Sequence, residues 1–392
     1  MSNDLEYLLS PRAVRDGAEK IFDQVKNGEG HFRYHPEKLA GVVKLVLEVT
    51  RANYPDLKIP FHSRWGHFRV GGVKRLEQLN ARMAGADPLE VARTRFDLAI
   101  TSVLLDAGAG MTWSYQEGAQ RFSKSEGLAV ASFHLFMEGG LAGDGQSPRA
   151  DGAGLSAFDE KRLQLAFQVT PQNPLVGATG RVALMRALGE AVLDPRYFKT
   201  PRPGALVDLL IERHGKRIPA SGVLRAVLDG LGPIWPGRLQ HEGRNLGDIW
   251  HHSRWGLIAF HKLSQWMTYS LIEPLIDAGL EVYGVEELTG LAEYRNGGLI
   301  LDSGLVSLKD PAAAAQTWTP DSDLIIEWRA LTVALLDVIG ARLREELKLS
   351  PTEFPLAKAL EGGTWWAGRR LAKEQRADGG PPLSLQSDGT VF

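Results

Sequence analysis

The chain has 392 residues, 44% hydrophobic and 23% charged, a mix found in soluble globular proteins and not in disordered, collagenous or coiled-coil chains. Lys and Arg number 45 against 47 Asp and Glu, a net charge of −2, so no positive excess exists to hold a phosphate backbone and nucleic acid is not an expected partner. Cysteine is absent, which excludes disulfides, thiolate nucleophiles and every Cys-ligated zinc or iron–sulfur site.

In chain order the hydrophobic period is mostly helical. Residues 12–25 put Ala13, Val14, Ala18, Ile21, Phe22 and Val25 on one face. Residues 39–49 continue the pattern until Pro60 interrupts it. Helices are predicted over 88–105, with Val91, Phe96, Ala99 and Val103 inward, and over 125–138. Residues 139–154 are rich in Gly, Ser, Pro and Asp and read as a flexible loop. Helical patterns resume at 155–169, 180–193 and 205–213. Residues 255–276 are apolar on most sides and read as one long buried helix, and 324–347 as a second. Short aromatic stretches at 31–34 and 67–70 suggest strands. The expected organisation is an N-terminal helical lobe (1–138), the loop (139–154), a C-terminal helical lobe (155–375) and an extended tail (376–392), the two lobes forming one integrated domain. No apolar run reaches membrane-span length, and the best, 331–340, carries Asp337. The N-terminus holds Asp4 and Glu6 and lacks the layout of a signal peptide. A cytoplasmic protein is expected.

The string His62-Ser63-Arg64-Trp65-Gly66 recurs as His252-Ser253-Arg254-Trp255-Gly256. It is either a coincidence of two similar loop-to-helix entries or a pair of cationic, aromatic anchor points for anionic or planar ligand groups. There is no P-loop, no GxGxxG after a strand, no HExxH and no GxSxG. His62 and His67, with His251, His252 and His261, could form a His-rich metal site, but Arg64 and Arg69 beside the first pair oppose a cation and suit phosphate or carboxylate instead. Asp106 follows an apolar run and is either a buried site carboxylate or a helix-end residue bonding the loop of Gly108 and Gly110. Lys262 lies in an apolar stretch, where lysine is rare unless paired or snorkelling. Glu293-Tyr294-Arg295 follows 31 residues on, and Glu293 is the natural partner for Lys262. Glu327 opens the last long helix, where the helix dipole alone would favour it. Trp365 and Trp366 either wall a pocket or pack the core.

The combination of Ile59-Pro60-Phe61-His62-Ser63-Arg64-Trp65-Gly66-His67-Phe68, the 97–110 run, Ser125-Glu126-Gly127-Leu128 and the 294–298 run resembles the uracil-catabolism family that forms the fourth component of the URC pathway. That resemblance spans nearly the whole chain. It implies a place in a route that takes uracil through its ribonucleotide to ribosylurea and then urea. A more distant resemblance is to the queuosine-salvage family, which hydrolyses the N-glycosidic bond of queuosine 5′-phosphate. It is carried, in order, by Leu105-Asp106 with Trp113, by 173–188, by Phe260-His261-Lys262-Leu263-Ser264-Gln265, by Glu293-Tyr294-Arg295, by Ile326-Glu327-Trp328-Arg329-Ala330 and by Gly363-Thr364-Trp365-Trp366. It implies a mainly α fold similar to helix-hairpin-helix DNA glycosylases, with a few short strands. It also implies an essential Lys and carboxylate at Lys262 and Glu293, the latter one methylene longer than that family's Asp. Leu288-Thr289-Gly290-Leu291 would be the hairpin, without its usual second Gly.

These resemblances imply an N-ribosyl hydrolase releasing urea from ribosylurea or its 5-phosphate. The candidate catalytic residues are Glu293, Lys262 and Asp106. The candidate substrate-binding residues are His62, Arg64, His67, Arg69, Trp113, His252, Arg295, Glu327 and Trp366. A small molecule is the expected partner, and the chemistry requires no metal or other cofactor. The alternatives are a metal-assisted amide or ureido hydrolase of the same pathway and a non-catalytic nucleotide-binding regulator.

Overall fold

The computed structural model describes residues 5–386 except 107, 111, 236–238 and 242. Residues 1–4 and 387–392, which the first lobe and the tail would include, lie outside the described residues. The protein is mainly helical, with short two-stranded pairings, some of them local hairpins and some joining distant segments. Among the described residues no helix is long and apolar enough to cross a membrane.

Helices form where the period predicts them: Pro11–Lys26, Leu39–Asn53, Pro88–Leu104, Lys124–Met137, Ala178–Ala191, Leu206–His214 and Asp323–Leu347. Local chemistry sets their starts. Ser10 caps Pro11–Lys26 by accepting from the Ala13 N–H, and Asp87 caps Pro88–Leu104 by accepting from Leu89. In both helices Pro occupies the first position, where its missing N–H costs nothing.

Three expectations are corrected. The predicted single helix over 155–169 is two, Gly152–Ser156 and Glu160–Ala166, because Asp159 turns extended and caps the second. The 67–70 strand is instead the end of a short helix, Arg64–Phe68, followed by a 3₁₀ turn. The 255–276 helix is a hairpin followed by a helix. Ile249–His252 pairs antiparallel with Gly256–Ala259, and the helix begins only at Lys262. Gly256 at φ +80° closes the hairpin. An apolar run does not by itself separate a buried strand from a buried helix. The strand expected near 31–34 forms at Phe32–Tyr34 and pairs with Val306–Leu308. The two copies of the five-residue string fold differently. The first enters a helix and the second makes the turn of the hairpin.

The buried apolar residues divide into two clusters. One gathers the helices Pro88–Leu104, Lys124–Met137, Ala178–Ala191 and Ala220–Leu231 around Trp266, Met267 and Tyr269 of the helix Lys262–Asp277. Leu135, Leu141, Ala150 and Leu155, which flank or lie within the 139–154 segment, all belong to it. The other is built from Pro11–Lys26, Leu39–Asn53 and Asp323–Leu347, with the 249–259 hairpin. The chain passes between clusters three times close together in space. Ile59 and Trp65 lie on opposite sides, as do Phe260 and Trp266, and Leu291 and Ala292. His62, Lys262 and Glu293 sit at these three crossings.

The helix Tyr294–Asp302 packs on Trp365–Gln375 so closely that a Cβ on Gly368 would collide with the Arg295 carbonyl oxygen. Gly368→Ala is expected to destabilise the protein by about 1–3 kcal/mol, the usual cost of overpacking a fixed contact. Gly180→Ala, at an open position in the helix Ala178–Ala191, is expected to stabilise it by up to about 1 kcal/mol. Urea unfolding of both variants checks this.

Candidate functional site

A cavity of about 350 Å³ lies where the two clusters meet, walled by His62, His67, Asp106, Lys124, Lys262, Trp266, Glu293, Tyr294, Arg295 and Trp365, with Asp378–Pro381 of the tail across one side. Most of its polar groups stand at helix ends. Lys262 is the first residue of Lys262–Asp277, and the preceding His261 is held at φ +49°. Lys124, at φ +54°, likewise opens Lys124–Met137. Non-glycine residues in this region are strained and concentrate at functional sites. Asp106 lies two residues beyond the end of Pro88–Leu104, and Glu293 is the N-cap of Tyr294–Asp302.

The helix carrying Lys262 is anchored by Asp248. Its carboxylate accepts from the Lys262 N–H at 3.0 Å and from both arms of the buried Arg329 guanidinium at 2.6 and 2.8 Å. Burial pushes the Asp248 carboxyl up, but the Arg329 fork overrides it and holds it well below the usual carboxylate range. The Lys262 ammonium makes no hydrogen bond or ion pair with another described residue. Desolvation lowers its proton affinity, and the negative charge of Glu293 and Asp106 partly restores it.

Glu293 spends both oxygens on its own helix, accepting from the Arg295 N–H at 2.8 Å and the Asn296 N–H at 2.6 Å. This fixes the carboxylate rigidly. Burial still raises its pKa, against the pull of those two N–H groups and of Lys262. Asp106 faces the fully buried Arg64, with Nη1 3.1 Å from Oδ1. Arg181 donates to the Leu105 carbonyl at 2.9 Å and the Gly108 carbonyl at 3.3 Å, so it shapes the loop holding Asp106. His67 is driven well below its ordinary pKa by burial and by Arg64, and is a neutral ring. His62 donates through Nδ1 to Glu361 at 2.8 Å, and Tyr54 donates to the other Glu361 oxygen at 2.9 Å. Arg295 bonds the Gly379 carbonyl at 2.8 Å and so ties the tail to the cavity.

Buried polar atoms without a hydrogen-bond partner gather here: His67 Nδ1, Trp266 Nε1 and Arg295 Nε on the wall, with Arg64 Nη2 behind. Such groups are rare in proteins and call for a ligand or water to complete them. A larger cleft of about 630 Å³ lies beside Glu90, Arg93, Arg149, Asp151 and Arg202. Its charges are spent on each other, in Arg93–Asp208, Arg202–Glu90 and Arg149–Asp151 pairs. It offers volume without free chemistry, so the smaller cavity is the candidate site.

Of the residues singled out from the sequence, the structure brings His62, His67, Asp106, Lys262, Glu293 and Arg295 to this cavity, with Arg64 directly behind Asp106. Five others are elsewhere. Arg69 pairs with Glu273 on the surface. Trp113 is buried and donates to the Phe167 carbonyl. Trp366 points outward beside Arg369, whereas its neighbour Trp365 lines the cavity, because adjacent helical residues face about 100° apart. Glu327 and His252 form a separate buried knot. Glu327 accepts from the His31 backbone N–H at 2.6 Å, bonds His31 Nδ1 at 2.8 Å and lies 3.3 Å from His252 Nε2. Sequence reasoning missed Glu361, Asp248, Arg329, Tyr54, Lys124, Trp266 and the tail residues 378–381. Glu361 beside two glycines offered the one local hint. Ala107 and Met111, inside the Asp106 motif, lie outside the described residues. Among the described residues no three His, Asp or Glu side chains gather as a metal site would require.

The sequence profile of a family described as "Protein of unknown function (DUF1688)" matches residues 7–392. The chain belongs to the DUF1688 family. Two relatives align along their whole length. Protein urg3 of Schizosaccharomyces pombe (strain 972 / ATCC 24843) is 40% identical over 397 residues, covering 98% of each chain. Uracil catabolism protein 4 of Lachancea kluyveri is 36% identical over 440 residues, covering 100% of each. The resemblance to the uracil-catabolism family read from the sequence motifs is therefore shown for this DUF1688 member.

Two outcomes follow for this protein. Lys262→Met is expected to leave the melting temperature unchanged or higher, because it removes a desolvated cation without a partner. A clear fall by calorimetry would show that Lys262 has a stabilising role. The Glu327 knot sets a pH window. Burial pushes Glu327 up, but His252 and His31 hold it at about 2, against 4.5 unfolded, so its contribution is lost as pH falls below about 4.5. The Glu327 hydrogen bond raises His31 above 6.5, so that contribution is full below 6.5 and lost as pH rises through the raised value. Urea unfolding across pH is expected to show this increment largest between about 4.5 and 6.5, and Glu327→Gln is expected to flatten it.

Proposed function

We propose that this protein is an enzyme of uracil catabolism, an N-ribosyl hydrolase that cleaves ribosylurea or its 5-phosphate to urea and ribose or ribose 5-phosphate. The observation that carries this reading is the meeting of Lys262, Glu293 and Asp106 at one cavity lined with unpartnered polar atoms. The name of the Lachancea kluyveri relative, uracil catabolism protein 4, supports the pathway. A glycosylase-like fold is consistent with Lys262–Asp277 and Tyr294–Asp302 flanking the 288–291 turn. Gln265 straps that turn by accepting from the Thr289 N–H at 2.8 Å.

Cleavage of an N-riboside develops positive charge on the sugar. A fixed carboxylate beside the anomeric carbon stabilises that charge without reorganising. Glu293 is rigidly held by two N–H groups, and its raised pKa makes it a competent base for the attacking water. Lys262 keeps Glu293 ionised and bonds ribose hydroxyls. Asp106, facing Arg64, acts as an acceptor for the urea N–H groups and not as a proton donor. At the tail side Lys124 and the free edge of Arg295 take the 5-phosphate, so the phosphorylated substrate has the lower KM.

The test is incubation of purified protein with ribosylurea and its 5-phosphate, following urea and reducing sugar together. Equal release of both is expected, reduced at least about 10²-fold in Glu293→Gln and Lys262→Met. Ligand-induced thermal stabilisation without release would favour a binding protein and overturn the hydrolase reading.

A further inference from the structure

The leaving nitrogen of a ureide is a poor anion, so a proton must reach it as the C1′–N bond breaks. Asp106 is committed to Arg64, and His67 is neutral. We propose that His62 is the acid that protonates the leaving nitrogen and that Glu361 is its positioning residue. This rests on the hydrolase reading above.

The geometry is specific. The imidazole lies between Trp266 and Trp365, ring centroids 6.4 and 6.2 Å away, and is 9% exposed, its residual exposure opening on the cavity. The His62 backbone N–H is bound to the Ala357 carbonyl at 2.9 Å. Nδ1 is taken by Glu361 at 2.8 Å, so Nε2, on the opposite edge of the ring, is the nitrogen left to the cavity. It has no hydrogen-bond partner among the described residues. A histidine whose one nitrogen is fixed by a carboxylate presents the other in a defined tautomer, ready to give or take a proton.

Glu361 belongs to the π-turn Leu360–Thr364, a widening found frequently at functional sites. The turn packs through Gly362 and Gly363 against Val46 and Thr50 of Leu39–Asn53, too tightly for a side chain at Gly363. Burial pushes the Glu361 carboxyl up, but the His62 and Tyr54 hydrogen bonds and the charge of Arg69 hold it below its ordinary value. Among the described residues His67 and Glu293 also act electrostatically on His62, and Asp106, Lys124, Lys262 and Arg295 line the same cavity. His62 and Glu293 line the same cavity, where one small substrate meets both.

The step balances. The C1′–N bonding pair goes to nitrogen, which takes the proton from His62 Nε2 and leaves as neutral urea. Water adds to C1′ and gives its proton to the Glu293 carboxylate. Solvent then carries that proton back to His62.

The experiment compares ribosylurea with 4-nitrophenyl β-D-riboside, whose phenolate leaves without protonation. His62→Gln, with folding checked by melting temperature, is expected to lose about 10²-fold or more in kcat on ribosylurea while retaining the nitrophenyl riboside rate. In Glu361→Gln kcat on ribosylurea is expected to fall while the nitrophenyl riboside rate is retained, because the imidazole loses the carboxylate that orients it. Equal losses on both substrates would overturn the proposal. A ¹⁵N-histidine spectrum of the wild-type protein separates the two levels. Saturating urea with ribose 5-phosphate is expected to shift the His62 Nε2 signal and leave Nδ1 in place. That shift without any turnover would sink the hydrolase while keeping His62 as the acid–base group of the cavity. An unmoved Nε2 signal would sink the proposal itself.

Discussion

The site depends on the buried fork between Arg329 and Asp248. It joins the longest helix, Asp323–Leu347, to the segment just before the 249–259 hairpin. The same carboxylate then starts the next helix by taking the Lys262 N–H. Breaking such a pair by removing one partner costs roughly 3–5 kcal/mol, because the other charge stays buried. Here it would also release the strained His261 and the direction of Lys262. Glu293 does the parallel task on the neighbouring helix, using its side chain as a cap. Both candidate groups therefore stand at a helix start whose backbone N–H groups are held by a carboxylate, where they are more rigid than a loop would make them.

Several of the protein's unfavourable arrangements meet at the cavity. Unpartnered polar atoms, Lys124 at positive φ and a lysine without an ion partner border it, and His261, also at positive φ, directly precedes that lysine. The larger cleft near Arg202 has none of these features and satisfies its charges internally. Stability given up locally in this way distinguishes a working site from an incidental hollow, and it does so better than volume does.

The long helices were legible because their apolar faces recur every three or four residues over at least three turns, as in Ala13 to Val25. The hairpin at Ile249–Ala259 was not, because a run apolar on every side carries no period and only Gly256 marked the turn. Lys262 and Glu293 were found because a lysine in an apolar stretch and an acid beside Tyr294-Arg295 are chemically conspicuous. Glu361 could not be paired with His62 from sequence, since 299 positions separate them and no local pattern joins them. Glu327 and Arg329 show the limit of motif reading. They share one short block, yet two residues on a helix face opposite ways. One ties His31 and His252, and the other holds the site.

The tail segment at 378–381 forms one wall of the cavity, and Ser384–Leu385 beyond it pairs with Thr317–Trp318. The groups facing the cavity otherwise come from short segments around positions 62, 106, 124, 262, 293 and 365. Contacts of such long sequence separation pay loop-closure entropy before they return any stability, so they form late in folding. Helices such as Pro88–Leu104 and Asp323–Leu347 can consolidate from local contacts before the cavity exists. Helical content and a competent site are thus separate milestones for this chain, and the second is the slower.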